Sequence, residues 1–128
     1  MIPAREIPIG TNTIVVDHIS FDQAVNALLK RGFLIDKIDK QSQSCVTKFK
    51  DIPKTICHIS ISLHIKDGKA IVSGNWWTNI NPPGKDCVSE SHCIYPVTIS
   101  RPLNLDVIFY EMDNFAKSLG SRITYEKR

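Results

Sequence analysis

Long apolar runs are missing from this 128-residue sequence, in which no uninterrupted hydrophobic stretch exceeds about four residues. A membrane-spanning helix needs roughly 20 and the core of a signal peptide about 7 to 15, so neither is expected. Glycine is scarce: the six residues are widely separated, and no G-x-G-x-x-G or phosphate-cradling P-loop can be assembled from them. G-x-S-x-G and H-E-x-x-H are absent as well, which leaves acyl-transfer and zincin chemistry without motif support. A large excess of one charge is also lacking. Sixteen Lys and Arg against thirteen Asp and Glu leave a net charge of +3. The densest basic group, Lys37, Lys40, Lys48, Lys50 and Lys54, is interleaved with Asp36, Asp39 and Asp51. Such mixing describes a solvated face, so no nucleic-acid partner is expected.

What is present is the composition of a globular domain, 42% apolar and 23% charged. The length suits one domain over 1–128, with 1–12 as an extended arm marked by Pro3, Pro8 and Gly10. Folding at this size buries roughly two-thirds of the chain's surface, so the core needs neither metal nor disulfide.

Periodicity then sets out the elements. Thr13 to Asp17 is β-branched and reads as a strand. Ser20 and Gln23 form a capping box ahead of Phe21, Ala24, Val25, Leu28 and Leu29, the one-sided stripe of a helix that Gly32 ends. Phe33 to Asp39, Ser44 to Lys50 and Ile56 to Lys66 read as strands. In the last, Cys57, Ile59, Ile61, Leu63 and Ile65 alternate with His58, Ser60, Ser62 and His64. Asp67-Gly68 is a two-residue hairpin signal, and a type I′ turn pairs Lys66 with Lys69. Counting back sets Ile65 against Ala70, Leu63 against Val72, Ile61 against Gly74 and Ile59 against Trp76 on the inner face. The outer face carries His64 opposite Ile71, Ser62 opposite Ser73, Ser60 opposite Asn75 and His58 opposite Trp77. Residues 79–92 form a long polar loop containing Pro82-Pro83-Gly84. Ile94 to Ile99 is an edge strand at most, because of Pro96. A second helix begins near Pro102, carries the stripe Leu105, Ile108, Phe109, Met112, Phe115, Ala116 and Leu119, and ends at Gly120. Arg122 to Glu126 is a final strand or a tail.

The order β-α-β-β-β-β-(β)-α predicts an α+β two-layer sandwich: an antiparallel meander sheet with both helices on one face. The other face stays open and presents His58, Ser60, Ser62, His64, Ser73, Asn75 and Trp77 as candidate ligand- or partner-binding residues. An indole among hydroxyls, an amide and imidazoles suits recognition. The alternative is that the 79–92 loop folds back over Trp77. Metal ligation fails on spacing: Cys57 and His58 point to opposite faces, and His58 and His64 stand about 20 Å apart. Cys87, His92 and Cys93 match no zinc signature, so no cofactor is expected.

The stretch Phe21 to Lys50, with paired leucines, Arg31-Gly32-Phe33 and then Val46-Thr47-Lys48-Phe49, resembles the opening of small bacterial envelope lipoprotein domains with a TBP-like α+β fold. The resemblance implies a binding or assembly module and favours a periplasmic or envelope location over a cytoplasmic one. No lipobox cysteine lies near Met1. The leading expectation is a non-enzymatic module that binds a protein or a small polar ligand through the open sheet face and the 79–92 loop. The alternative is a hydrolase or transferase using His58 or His64 with Ser60 or Ser62. A cavity for an apolar ligand would require the helices to stand off the sheet, against the complete apolar stripes.

The cysteines give the first testable expectation. If 51–55 forms a turn, Lys50 pairs with Ile56, Phe49 faces Cys57, Thr47 faces Ile59 and Cys45 faces Ile61. Cys45 and Cys57 then lie near 13 Å apart, beyond the roughly 7 Å Cα limit for a disulfide, and are buried free thiols. Cys87 and Cys93 close a short loop and form the only disulfide in an oxidising compartment. Mass spectrometry of a non-reduced digest checks this. A Cys45–Cys57 linkage contradicts the pairing, and four free thiols in protein from its native compartment contradict export.

Overall fold

Local chemistry accounts for where each element starts and stops. A computed structural model describes residues 7–78, 94–100 and 106–128. In chain order these form β1 (Thr13–Val16), α1 (Phe21–Lys30), β2 (Ile35–Asp39), β3 (Ser44–Thr47), β4 (Lys50–Asp51), β5 (Cys57–Lys66), β6 (Lys69–Thr78), β7 (Tyr95–Pro96), α2 (Val107–Ser118) and β8 (Ile123–Glu126). Ser20 caps α1 by accepting the Gln23 N–H at 3.1 Å. At the other end Gly32 takes φ +87°, and Phe33 N–H donates to Leu28 O while Gly32 N–H donates to Leu29 O. That pair of bonds is a Schellman closure, and it turns Phe33 back into the core. For α2 the start differs from the sequence reading: Asp106 is the N-cap, its carboxylate accepting from Phe109 N–H. Pro102 and Leu105 lie outside the described residues.

Strand β6 organises the sheet. Asp67 and Gly68 both adopt positive φ, 53° and 73°, as a type I′ turn requires. All the expected β5–β6 pairs form, from Lys66 with Lys69 to Cys57 with Thr78. The meander runs β2-β3-β5-β6, but the order then continues to β1 and β8. Ile14 of β1 pairs with Val72 on one side and Tyr125 on the other, so the first and last strands complete the sheet and 122–126 is not a tail. Short β7 pairs with β6 beyond the end of β1, with Pro96 opposite Asn75. The described part of the N-terminal arm is tied down: Gly10 N–H donates to Ile99 O, and Ile99 N–H to Thr11 O.

The expected pairing of 44–50 with β5 is corrected. Ile52 N–H donates to Cys57 O, and Lys54 takes φ +65°, so the turn is tighter and Lys50 pairs with Ile59, Asp51 with His58. Cys45 pairs with Leu63, not Ile61. The two registers differ by one residue, which places Lys48 and Phe49 together opposite Ser60 as a bulge. Phe49 consequently leaves the inner face and is exposed. Lys50 points inward instead, donating from Nζ to Arg31 O at 2.7 Å and standing 4.8 Å from the Phe33 ring centroid. Cys45 and Cys57 are free thiols. Cys45 is buried, and Cys57, at the turn, is only half-buried. Cys45's partner Leu63 lies six residues from Cys57, about 20 Å along the strand. Cys87 and Cys93 lie outside the described residues.

Both helices pack on the same sheet face and on each other, burying Leu28, Phe109, Met112 and Phe115 against Ile14, Ile59, Ile61, Leu63 and Val72. Gly74 permits this approach, since a Cβ there would stand 2.9 Å from Ser60 O and 3.4 Å from Met112 Sδ. A carboxylate lies within the core: Asp113 of α2 is fully buried, accepts the Tyr125 hydroxyl at 2.7 Å and meets Lys117 Nζ at 2.8 Å. These contacts tie α2 to β8. Burial first, then the hydrogen bond and charge of Asp113, push the Tyr125 phenol above its ordinary value.

Two measurements follow from this packing. Leu63→Ala should destabilise the fold by about 2 to 5 kcal/mol in denaturant unfolding, since Leu63 is 2% exposed and its removal leaves a cavity. Tyr125 favours its neutral form more strongly when folded, so its contribution is intact below the ordinary value of 10.0 and is lost as pH rises above it. Urea unfolding at neutral and alkaline pH should show a shallower alkaline loss in Tyr125→Phe. That variant should also lose roughly 1 to 3 kcal/mol at neutral pH, because the buried Asp113 carboxylate loses a donor.

Candidate functional site

The outer sheet face is polar because β5 and β6 alternate in register. The seven candidate residues all lie on it, but they do not form one cluster. At the turn end, the bulge and the tight 52–57 turn bring Asp51 opposite His58. His58 Nδ1 stands 2.5 Å from Asp51 Oδ1, and the imidazole stacks on Trp77 at 3.8 Å with an interplanar angle of 16°. Phe49, placed outside by the bulge, meets Trp77 edge-on at 6.4 Å. Asp51 is 85% exposed whereas the His58 side chain is 15% exposed. The pair therefore orients the ring, while water screens its contribution to stability.

Ser60 is withdrawn from the face. It is 3% exposed, and its hydroxyl donates to Thr47 O at 2.7 Å, while Thr47 Oγ1 accepts from Ile61 N–H. These side-chain bonds cover backbone groups released by the Lys48–Phe49 bulge. Ser62 sits in the middle of the face opposite Ser73 and Val46. His64, exposed, pairs with Ile71 and Ser44. The two histidines lie six residues apart on one strand, so no single small group spans both.

Ser73 and Asn75 belong to a different feature. Here β6 exchanges one partner strand for another, β1 ending its pairing at Val72 and β7 beginning at Asn75. The break opens a recess of about 320 Å³ lined by Asn12, Ile71, Ser73, Asn75, Pro96 and Arg128. A second recess of about 300 Å³ adjoins it, sharing Ile71 and Arg128 and adding Val15, Lys66, Lys69 and Glu126. Arg128 is held in place from two directions. Asn12 Nδ2 donates to Arg128 O and Arg128 N–H donates to Asn12 Oδ1, both at 2.9 Å. The Asn12 side chain thereby adds one rung to the β1–β8 ladder beyond Thr13 and Glu126. The guanidinium Nε and Nη2 both reach Glu126 Oε1 at 2.9 Å.

The sequence reading missed Asn12 and Arg128, which are 116 residues apart and meet only through β1–β8 pairing. Asp51 and Phe49 were missed because a bulge leaves no signal in a period-two pattern. The 79–92 loop, His92 included, lies outside the described residues. Among those that are described, no three His, Cys, Asp or Glu side chains come together as a metal site, and no helix is long and apolar enough to cross a membrane. Burial pushes the Cys45 thiol up, away from the thiolate a nucleophile needs. Compared with known proteins, the chain matches no family model and no curated protein.

Proposed function

We propose that this domain is a non-enzymatic recognition module that holds a small polar ligand on its outer sheet face, in the recess where β6 changes partner. The observation that carries this reading is the recess itself. It has an apolar floor at Ile71, a hydroxyl and an amide from Ser73 and Asn75, and a cation from Arg128 held by Asn12 and Glu126. An apolar surface with a few fixed polar groups is the usual make-up of a small-molecule site. The hydroxyl nearest His58 in sequence on the same face speaks against hydrolysis or group transfer there. Ser60 is buried with its proton given to Thr47 O, whereas an activated serine needs its proton shared with the base. Trp77, stacked on His58 and braced by Phe49, forms the far margin of the face.

Titration of the isotope-labelled domain with a panel of monosaccharides, amino acids and dicarboxylates, followed by amide chemical shifts, tests the reading. Binders should shift Asn12, Ile71, Ser73, Asn75 and Arg128 together. Ser73→Ala with Asn75→Ala should abolish those shifts while the thermal midpoint stays within about 3 °C, as for surface substitutions. Binding that maps elsewhere, or survives the double substitution, contradicts the proposal.

A further inference from the structure

The sheet ends in β2 on one side and β8 on the other. An edge strand carries unpaired N–H and C=O groups that invite another strand unless something blunts them. β2 is blunted: a bulge breaks its register between Ile35 and Lys37, and Asp36, Lys37 and Asp39 are exposed along it. β8 is uninterrupted. Its pairs with β1 run without a shift from Ile123 to Glu126. Asp17 N–H on Arg122 O, and the Asn12 side chain on Arg128, extend that ladder at both ends.

The Asp17–Arg122 bond sets the phase of the ladder. Backbone groups of Arg122, Thr124 and Glu126 face β1. Those of Ile123 and Tyr125 point to the open edge, where no described strand takes them. An antiparallel partner must therefore bond to Ile123 and Tyr125. For a second copy of β8, that phase allows only two-fold arrangements centred on a residue, and charge distinguishes them. Centring on Tyr125 sets Arg122 opposite the like-charged Arg128 of the partner subunit. Centring on Glu126 sets two carboxylates together, and centring on Ile123 leaves Arg122 opposite Thr124 of the partner subunit. Centring on Thr124 sets Arg122 opposite Glu126 of the partner subunit, Ile123 opposite Tyr125 of the partner subunit, and Thr124 opposite its own copy.

Opposite charges, a β-branched side chain against an aromatic ring, and Thr against Thr are cross-strand pairs that stabilise a sheet. The side chains are placed for them. Arg122 and Thr124 are exposed, while Ile123 and Tyr125 are partly buried against the core. Arg128 occupies only Oε1 of Glu126, which leaves Oε2 for a second guanidinium.

We propose that β8 is a self-complementary edge through which two copies of this chain pair antiparallel, about a two-fold axis at Thr124, and join their sheets. The inference goes beyond the ligand reading and does not rest on it.

Sedimentation velocity over a concentration series should show a reversible monomer–dimer equilibrium, with amide exchange at Ile123 and Tyr125 slowing as the dimer forms. Arg122→Glu and Glu126→Arg should each weaken dimerisation by roughly tenfold or more, because the two-fold axis sets like charges together twice. Mixed in equal amounts, the two variants should regain it, since opposite charges then face each other in both pairs. In the unsubstituted protein, an isotope-filtered nuclear Overhauser experiment on mixed labelled and unlabelled chains should give a Thr124 Hα–Hα contact between subunits. A chain that stays monomeric at millimolar concentration overturns the proposal. So does a dimer that either variant leaves unchanged, a pair of variants that fails to recover on mixing, or exchange at Ile123 and Tyr125 that ignores concentration.

Discussion

The left-handed pair Asp67–Gly68 is the constraint on which the rest of the structure depends, because a two-residue I′ turn allows one register for the strands on either side of it. With φ of 53° and 73° at these positions, the ten residues of β5 meet the ten of β6 pair by pair. Since side chains alternate with period two, a slip of one residue would turn His58, Ser60, Ser62 and His64 toward the helices and Ile59, Ile61 and Leu63 toward water. The turn therefore decides both what the helices pack on and what the outer face displays. Strand β6 then serves as the template for β1 and β7 on its other side, and the break between those two partners creates the Asn12–Ser73–Asn75–Arg128 recess.

The helix layer is fastened to this sheet by specific contacts as well as by apolar burial. The Schellman closure at Gly32 aims Phe33 inward. Lys50 reaches from the bulged strand to the end of α1. Asp113 connects α2 to β8 through Tyr125. A buried carboxylate is destabilising unless it is paired, and here Oδ1 accepts from the Tyr125 hydroxyl while Oδ2 stands 2.8 Å from the Lys117 ammonium as an ion pair.

Much of this architecture is legible in the residues themselves. Asp67-Gly68 with strict alternation on each side specifies the longest ladder, and Ser20, Gln23 and Gly32 delimit α1, because caps and tight turns are local chemistry. The register of β3 and β4 on β5 is not legible. A shift of two residues keeps every apolar side chain inside, so Cys45 is inward whether it faces Ile61 or Leu63. The bulge at Lys48–Phe49 reverses the sides of Phe49 and Lys50 with no change in composition to announce it. The candidate site shows the same division. The outer-face row follows from alternation and is found where expected, apart from Ser60, whose hydroxyl the bulge engages. Asn12 and Arg128 enter only through long-range pairing, and Asp51 only through the bulge and tight turn that set it opposite His58.

Cross-strand Hα–Hα nuclear Overhauser effects test the register most directly, because they arise at the closely spaced, non-hydrogen-bonded pairs of an antiparallel ladder. Ile65 N–H donates to Gln43 O, away from β6, which marks Ile65 with Ala70 as such a pair and sets the phase for the rest. The account predicts effects between Ile65 and Ala70, Leu63 and Val72, Ile61 and Gly74, and Ile59 and Trp76. Effects displaced by one or two residues along either strand would contradict it, and with it the composition of both faces of the sheet.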